Sequence, residues 1–162
     1  MRIGGRLIEL APHNCFACGT LNTHGLQLVL HAGDDRCWIE TTLEERFQGW
    51  DGIAHGGIIC TLLDEVMAWA LVEHDMWGVT ARMQVDFKKP VPIGMPIRGE
   101  GRVTAARRRI VEAEAALYDA SGTVLASATG TFVAAPDGQK REAKERYGFT
   151  LVDAPEPVAV PE

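Results

Sequence analysis

Two carboxylates sit inside an apolar run where an unpaired charge would cost several kcal/mol. Residues 49–70 read GWDGIAHGGIICTLLDEVMAWA, and Asp64 and Glu65 fall within the part patterned as a helix. A desolvated Asp64 could attack a carbonyl carbon directly or take a proton from an attacking water. Gly56 and Gly57 stand where that helix begins. Helix N-termini carry free N–H donors and a partial positive charge, which suit a developing oxyanion, and glycine lets a substrate carbonyl come close to that backbone. His55 precedes the pair without an adjacent acidic orienter, so it reads mainly as a hydrogen bonder that fixes the loop. Asp64 and Glu65 differ by about 100° around the helix. Glu65, almost opposite Gly56, reads as a structural carboxylate paired with an arginine such as Arg82 or Arg102; for Asp64 such a pairing is the alternative to a chemical role.

The spacing limits what one chain can do. At about 1.5 Å of rise per residue, Gly56 and Asp64 lie about 12 Å apart along the helix axis. An oxyanion donor and a nucleophile must both lie within about 3–3.5 Å of one carbonyl group. Two antiparallel copies related by a twofold axis can meet that condition, each giving Gly56 to the site where the other gives Asp64. The expectation is therefore a homodimer with two equivalent shared sites.

The elements that must position these groups can be read from periodicity. LQLVLHA (26–32) and RCWIETTLE (36–44) form two strands around the turn residues Gly33, Asp34 and Asp35. A helix runs from about Gly56 to His74 and is apolar over most of its circumference. VTARMQVDF (79–87) then alternates, with Val79, Ala81, Met83, Val85 and Phe87 on one face and Thr80, Arg82, Gln84 and Asp86 on the other. Pro90 and Pro92 end that strand. IRGEGRVTAARR, RIVEAEAALYD and TVLASATGTFVAA follow as three more strands, the last two joined through the hairpin signal DASG. The class is α+β, an antiparallel curved sheet around one long helix. Residues 1–135 make a single domain, and 136–162 a charged, then Pro-rich extension with a short helix and a mobile end. Edge-to-edge dimerisation would cover both the open sheet edge and the apolar helix.

Composition narrows the classes of partner. The chain has 162 residues, enough for one compact core, and an apolar fraction of 46%. A net charge of −6 gives no footprint for nucleic acid or an anionic membrane. No stretch reaches the roughly 18 apolar residues of a membrane span, and the N-terminus lacks the apolar segment of a signal peptide. A cytoplasmic location is the default expectation.

HGGIICTLLDE, with GLQL upstream and the strand VDFKKP (85–90) downstream, resembles the hotdog-fold acyl-CoA thioesterases. The nearest branch is the phenylacetic-acid-degradation (PaaI-like) type, related to one group of 4-hydroxybenzoyl-CoA thioesterases. The resemblance covers roughly residues 13–134. It implies hydrolysis of a small, medium or aromatic acyl-CoA, with coenzyme A as part of the substrate and no separate cofactor, by dimers that often pair into tetramers. It gives Asp64 the role of nucleophile or base and the Gly56 N–H that of polarising the thioester carbonyl. A loop amide often assists in relatives; that position is Gly49 here, with Gln48 as the neighbouring substitute. Thr80 matches a small hydroxyl that holds the attacking water in some relatives. For the phosphates of coenzyme A, the candidate cations are Lys88 and Lys89, or the run Arg107, Arg108 and Arg109. Trp50, Met67 and Trp69 are candidates for the acyl pocket, with core packing as their alternative. A non-catalytic acyl-CoA-binding protein on the same fold is the rival reading, and it has no need of Asp64.

The element CFACG carries metal-ligand types in His13, Cys15 and Cys18, and C-x2-C can be half of a zinc site. No second pair of ligands follows along the chain, so the element reads as structural packing and no metal is expected. Cys37 and Cys60 fall in apolar segments and read as reduced core thiols.

Overall fold

The computed structural model describes residues 6–153. Its strands are β1 (Arg6–Glu9), β2 (Leu30–Gly33), β3 (Arg36–Thr42), β4 (Gly78–Phe87), β5 (Pro96–Arg107), β6 (Ile110–Asp119), β7 (Val124–Ala134) and β8 (Thr150–Asp153). The helices are α1 (Gly56–Ala70), continued by a 3₁₀ turn over Leu71–His74, and α2 (Asp137–Tyr147). All eight strands join one antiparallel sheet in the order β4-β7-β6-β5-β3-β2-β1-β8.

The sheet curls around α1 because the apolar residues of the helix cover most of its girth. Leu62, Leu63, Val66, Met67 and Ala70 are fully buried, as are Cys37, Ile39, Val111, Leu117 and Phe132 on the sheet. Helix and sheet approach backbone to backbone at Gly101 of β5, where a Cβ would lie 2.4 Å from the Val66 carbonyl oxygen. Any side chain there would push the helix off the sheet. Among the described residues, no helix is long and apolar enough to cross a membrane.

Three expectations need correction. The strand expected over 26–32 begins only at Leu30, because Gln27 is left-handed (φ 48°). The preceding backbone is engaged elsewhere, with the Leu26 and Leu28 N–H groups donating to the Phe16 and Ala17 carbonyls. β1 and β8 have no strand periodicity long enough to show in sequence, yet they pair from Arg6↔Asp153 to Glu9↔Thr150 and extend the sheet. The extension after residue 135 is thus partly built into the domain. Trp77 stacks on Tyr147 at 5.4 Å and on Phe149 at 6.2 Å, and Lys140 and Lys144 pair with Asp75. The mobile end expected beyond this lies outside the described residues.

The third correction concerns β4. Its ladder with β7 shifts register between Thr80 and Arg82, so Thr80 opposes Phe132 while Arg82 opposes Thr131. Ala81 is the extra residue of a β-bulge. Directly opposed residues share a face of a sheet, and Phe132 faces the core. The bulge therefore turns Thr80 to the helix side together with Met83, Val85 and Phe87, against the strict alternation expected from sequence.

Candidate active site

The N-terminus of α1 is set by His55. With φ −64° and ψ 137° it stands outside the helix, and its Nδ1 accepts the Gly57 N–H at 2.9 Å. This is an N-cap, and it consumes one of the orphan donors. Because Nδ1 accepts, the ring proton of a neutral His55 resides on Nε2. A Cβ on residue 57 would sit 3.1 Å from that Nδ1, so glycine keeps the cap unhindered. At Gly56 a Cβ would meet only the Phe87 ring, at 3.6 Å. The fold itself does not demand glycine at 56, and among the described residues no acceptor is recorded for its N–H.

Gln48 holds the preceding loop. Its side-chain oxygen accepts the Gly52 N–H at 3.1 Å, and its backbone bridges to Ala54. What Gln48 can still present is its NH2 group. Beside the helix N-terminus lies a groove of about 370 Å³ lined by Trp50, Ile59, Phe87, Lys88 and Lys89 among others. Trp50 is 85% exposed at its rim. Of the three residues considered for an acyl pocket, Trp50 alone borders this groove. Met67 is core, and Trp69 packs edge-on to Trp77 and Phe149 on another side of α1.

Asp64 is half-buried further along α1, and the Thr80 hydroxyl donates to its Oδ1 at 2.7 Å. The bulge at Ala81 makes this contact possible. Among the described residues no arginine takes Asp64 or Glu65 as partner: Arg102 pairs with Glu114 at 2.6 Å, and Arg82 faces outward on β4. Glu65 is buried instead and accepts the Trp69 indole N–H at 2.9 Å. Burial pushes its carboxyl up to about 7, with the hydrogen bond from the Trp69 indole pulling the other way.

Both groups of cations flank β4, at opposite ends. Lys88 and Lys89 follow Phe87, beside Gly56. Arg107, Arg108 and Arg109 form the β5–β6 turn, where Arg108 takes φ 55°, and the ladders β6–β7 and β7–β4 align this end with Val79 and Thr80. Arg109 is tied down, its Nε donating to the Ala134 carbonyl at 2.9 Å. Arg107 and Arg108 line an open groove.

The CFACG element folds over the other side of α1. His13, Cys15 and Cys18 converge there with Glu65, Trp69, Trp77 and Tyr147 around a cavity of about 160 Å³. A hydrogen bond from the Cys18 thiol, helped by the Ala17 and Cys18 N–H groups, brings the Cys15 thiol down to about 5, and the same pairing drives Cys18 up.

Comparison with known proteins bears on what this arrangement is. The profile of the thioesterase superfamily matches residues 51–126, which include α1 and β4. Over that stretch the chain is similar to the thioesterase superfamily. A Saccharolobus solfataricus protein named as a candidate esterase, SSO1253, is 31% identical over 97 residues, covering 59% of this chain and 64% of that protein. Among solved structures, the thioesterase superfamily protein RHA08564 superposes with a TM-score of 0.71 at 27% identity, covering 74% of this chain and 60% of that one. The Streptococcus mutans protein smu.793, solved bound to acetyl-CoA, superposes with a TM-score of 0.63 at 19% identity over 67% of this chain and 88% of that one. The chain thus spans less than two thirds of the length of SSO1253 and RHA08564. The expected fold is present: one long helix wrapped by a curved antiparallel sheet, as in hotdog thioesterases.

Phe87, poised over Gly56, was not singled out among the site candidates by sequence. Its place at the end of a strand next to Lys88-Lys89-Pro90 is the signal that could have marked it. The Thr80–Asp64 contact depends on a bulge, and no residue of VTARMQVDF announces one.

Proposed function

We propose that this protein hydrolyses acyl-CoA thioesters at sites shared between two copies of the chain. The observation that carries the reading is the Thr80–Asp64 contact at 2.7 Å, a hydroxyl holding one oxygen of a half-buried carboxylate beside an open sheet edge. That edge is β4, where Val79 is 69% and Phe87 59% exposed. Such apolar side chains on an edge strand, whose outer side has no partner among the described residues, suit a second copy. Antiparallel pairing of β4 with its twin about the strand midpoint would set Thr80 of one protomer opposite Val85 of the other, two residues from Phe87. Asp64 goes with Thr80 and Gly56 with Phe87, so this pairing also brings Asp64 toward the helix N-terminus of the other chain.

In the composite site the Gly56 N–H donates to the thioester oxygen as negative charge develops there. Asp64 has Oδ1 held by Thr80 and Oδ2 left for the reaction, either as nucleophile, giving an anhydride that water opens, or as base for a water that attacks directly. The thiolate of coenzyme A departs in both routes. Lys88 and Lys89 lie beside Gly56 and are placed to take phosphates; Arg107 and Arg108 of the chain supplying Asp64 border the same composite site. The small or aromatic acyl group would occupy the groove by Trp50 and Phe87. The acetyl-CoA held by smu.793 supports the ligand class.

The test is thiol release over a panel of acyl-CoA esters, followed by mixing two inactive variants. Asp64→Asn removes the acid, and Gly56→Pro removes one N–H. Proline is tolerated at the first helical position, and the extended backbone of His55 suits a residue before proline. Heterodimers of the two variants should regain one intact site of the two. Folded heterodimers without activity would refute the shared geometry, and a parent protein that binds acyl-CoA esters without turnover would be a binder.

A further inference from the structure

We propose that His13, Cys15 and Cys18 bind a zinc ion, with Glu65 facing the fourth coordination position, and that this ion pins the N-terminal loop to α1. The ligand atoms of the first three residues lie within 4.8 Å of one another. His13 Nε2 and Cys18 Sγ stand 3.5 Å apart. Zinc–sulfur and zinc–nitrogen bonds of about 2.3 and 2.0 Å at a tetrahedral angle would set those two atoms about 3.5 Å apart. The pair therefore needs little movement to close on an ion.

The tautomer is right as well. His13 Nδ1 donates to the Ala11 carbonyl at 2.9 Å, which leaves the lone pair on Nε2, the nitrogen facing Cys18. A backbone carbonyl holding the far nitrogen is the usual support of a zinc-bound histidine. The loop is built to present both sulfurs: Gly19 N–H donates to the Cys15 carbonyl at 2.9 Å. A Cβ on Gly19 would lie 2.4–2.5 Å from backbone atoms of Cys15 and His13, so only glycine lets the chain turn back this tightly after the second cysteine. Leu21 N–H closes the next turn onto the His13 carbonyl at 3.0 Å.

Glu65 makes the fourth side. Its carboxyl is buried in the same cavity, beside Cys18, with the Trp69 indole on one oxygen. A divalent cation among two thiolates and a carboxyl answers the question of why an acid was placed in the buried face of this helix. The sequence concealed this arrangement because Glu65 is remote from CFACG along the chain and supplies no ligand spacing. Two sulfurs and a nitrogen favour zinc over magnesium or calcium, which take oxygen.

The experiment is metal analysis of the full chain, purified from zinc-supplemented culture, with thiols alkylated at lysis in a parallel sample. About one zinc per chain is expected to survive gel filtration. After removal of zinc under reducing conditions, cobalt(II) should give a thiolate charge-transfer band and the intense visible bands of a tetrahedral site. Cys18→Ser and His13→Ala should each weaken zinc binding by about a hundredfold or more. Should those variants fail to fold, the cobalt spectrum of the parent protein decides alone. No zinc in the purified parent together with no thiolate band on cobalt addition would overturn the proposal, as would a Cys15–Cys18 disulfide in the alkylated sample. Neither outcome bears on the proposed thioester hydrolysis, whose residues Gly56, Asp64 and Thr80 are not among the zinc ligands.

Discussion

Asp64, Thr80 and His55 each answer to a different measurement, because each does a different physical job. Asp64→Asn keeps the size and hydrogen bonding of the side chain and removes its basicity. Turnover should fall by about 10²–10⁴-fold with acyl-CoA binding retained, the range for a lost proton-transfer group, or further if Asp64 is the nucleophile. A single turnover in ¹⁸O-water separates the two routes, since a nucleophilic Asp64 acquires label and a base does not. Thr80→Val should slow turnover while leaving the melting temperature almost unchanged, because the hydroxyl touches a half-buried carboxylate rather than the core. His55→Ala instead removes an N-cap, costing about 1 kcal/mol. For a chain of this length that is a fall of about 2–4 °C in melting temperature. The placement of Gly56, Gly57 and Asp64 was legible in the bare sequence, since a Gly-Gly step and an acid in one helical run have fixed separation. Glu65 was not: its partner is the Trp69 indole one turn along the same helix, where an arginine from another element had been expected.

Elements decide what those residues can reach. Helix α1 and the long strands β4 to β7 were readable because each carries a sustained period with Gly or Pro at its ends. β1 and β8, at four residues each, are too short to show one, and they exist through pairing, β1 with both β2 and β8. Docking of the extension rests on aromatic stacking, which leaves no spacing rule in the chain. Tyr147→Ala or Phe149→Ala should therefore destabilise the domain by about 1–3 kcal/mol, through lost burial and lost stacking on Trp77. Denaturant unfolding of either variant checks this, and an unchanged midpoint would mean that the extension contributes nothing to the core. The bulge at Ala81 belongs to this scale too. Forcing Ala81 into the ladder opposite Phe132 would restore strict alternation, swing Thr80 away from α1 and abolish the hydroxyl–carboxylate contact, whereas deleting Ala81 would leave Thr80 opposite Phe132.

At the scale of the whole molecule the sheet has two unlike edges. One ends in β4 with Val79 and Phe87 exposed; the other ends in the short β8. If β4 is where two copies join, Val79→Glu together with Phe87→Glu should give a monomer by light scattering that has lost activity. A monomer retaining turnover would contradict the shared site. The second edge has a practical corollary. Arg6 and Asp153 face each other across β1 and β8, so the described chain enters and leaves at one corner, six strands from β4. A reporter placed at Arg6 or Asp153 would then stand on the sheet edge opposite β4 in strand order, where it should not compete with a second copy for that strand.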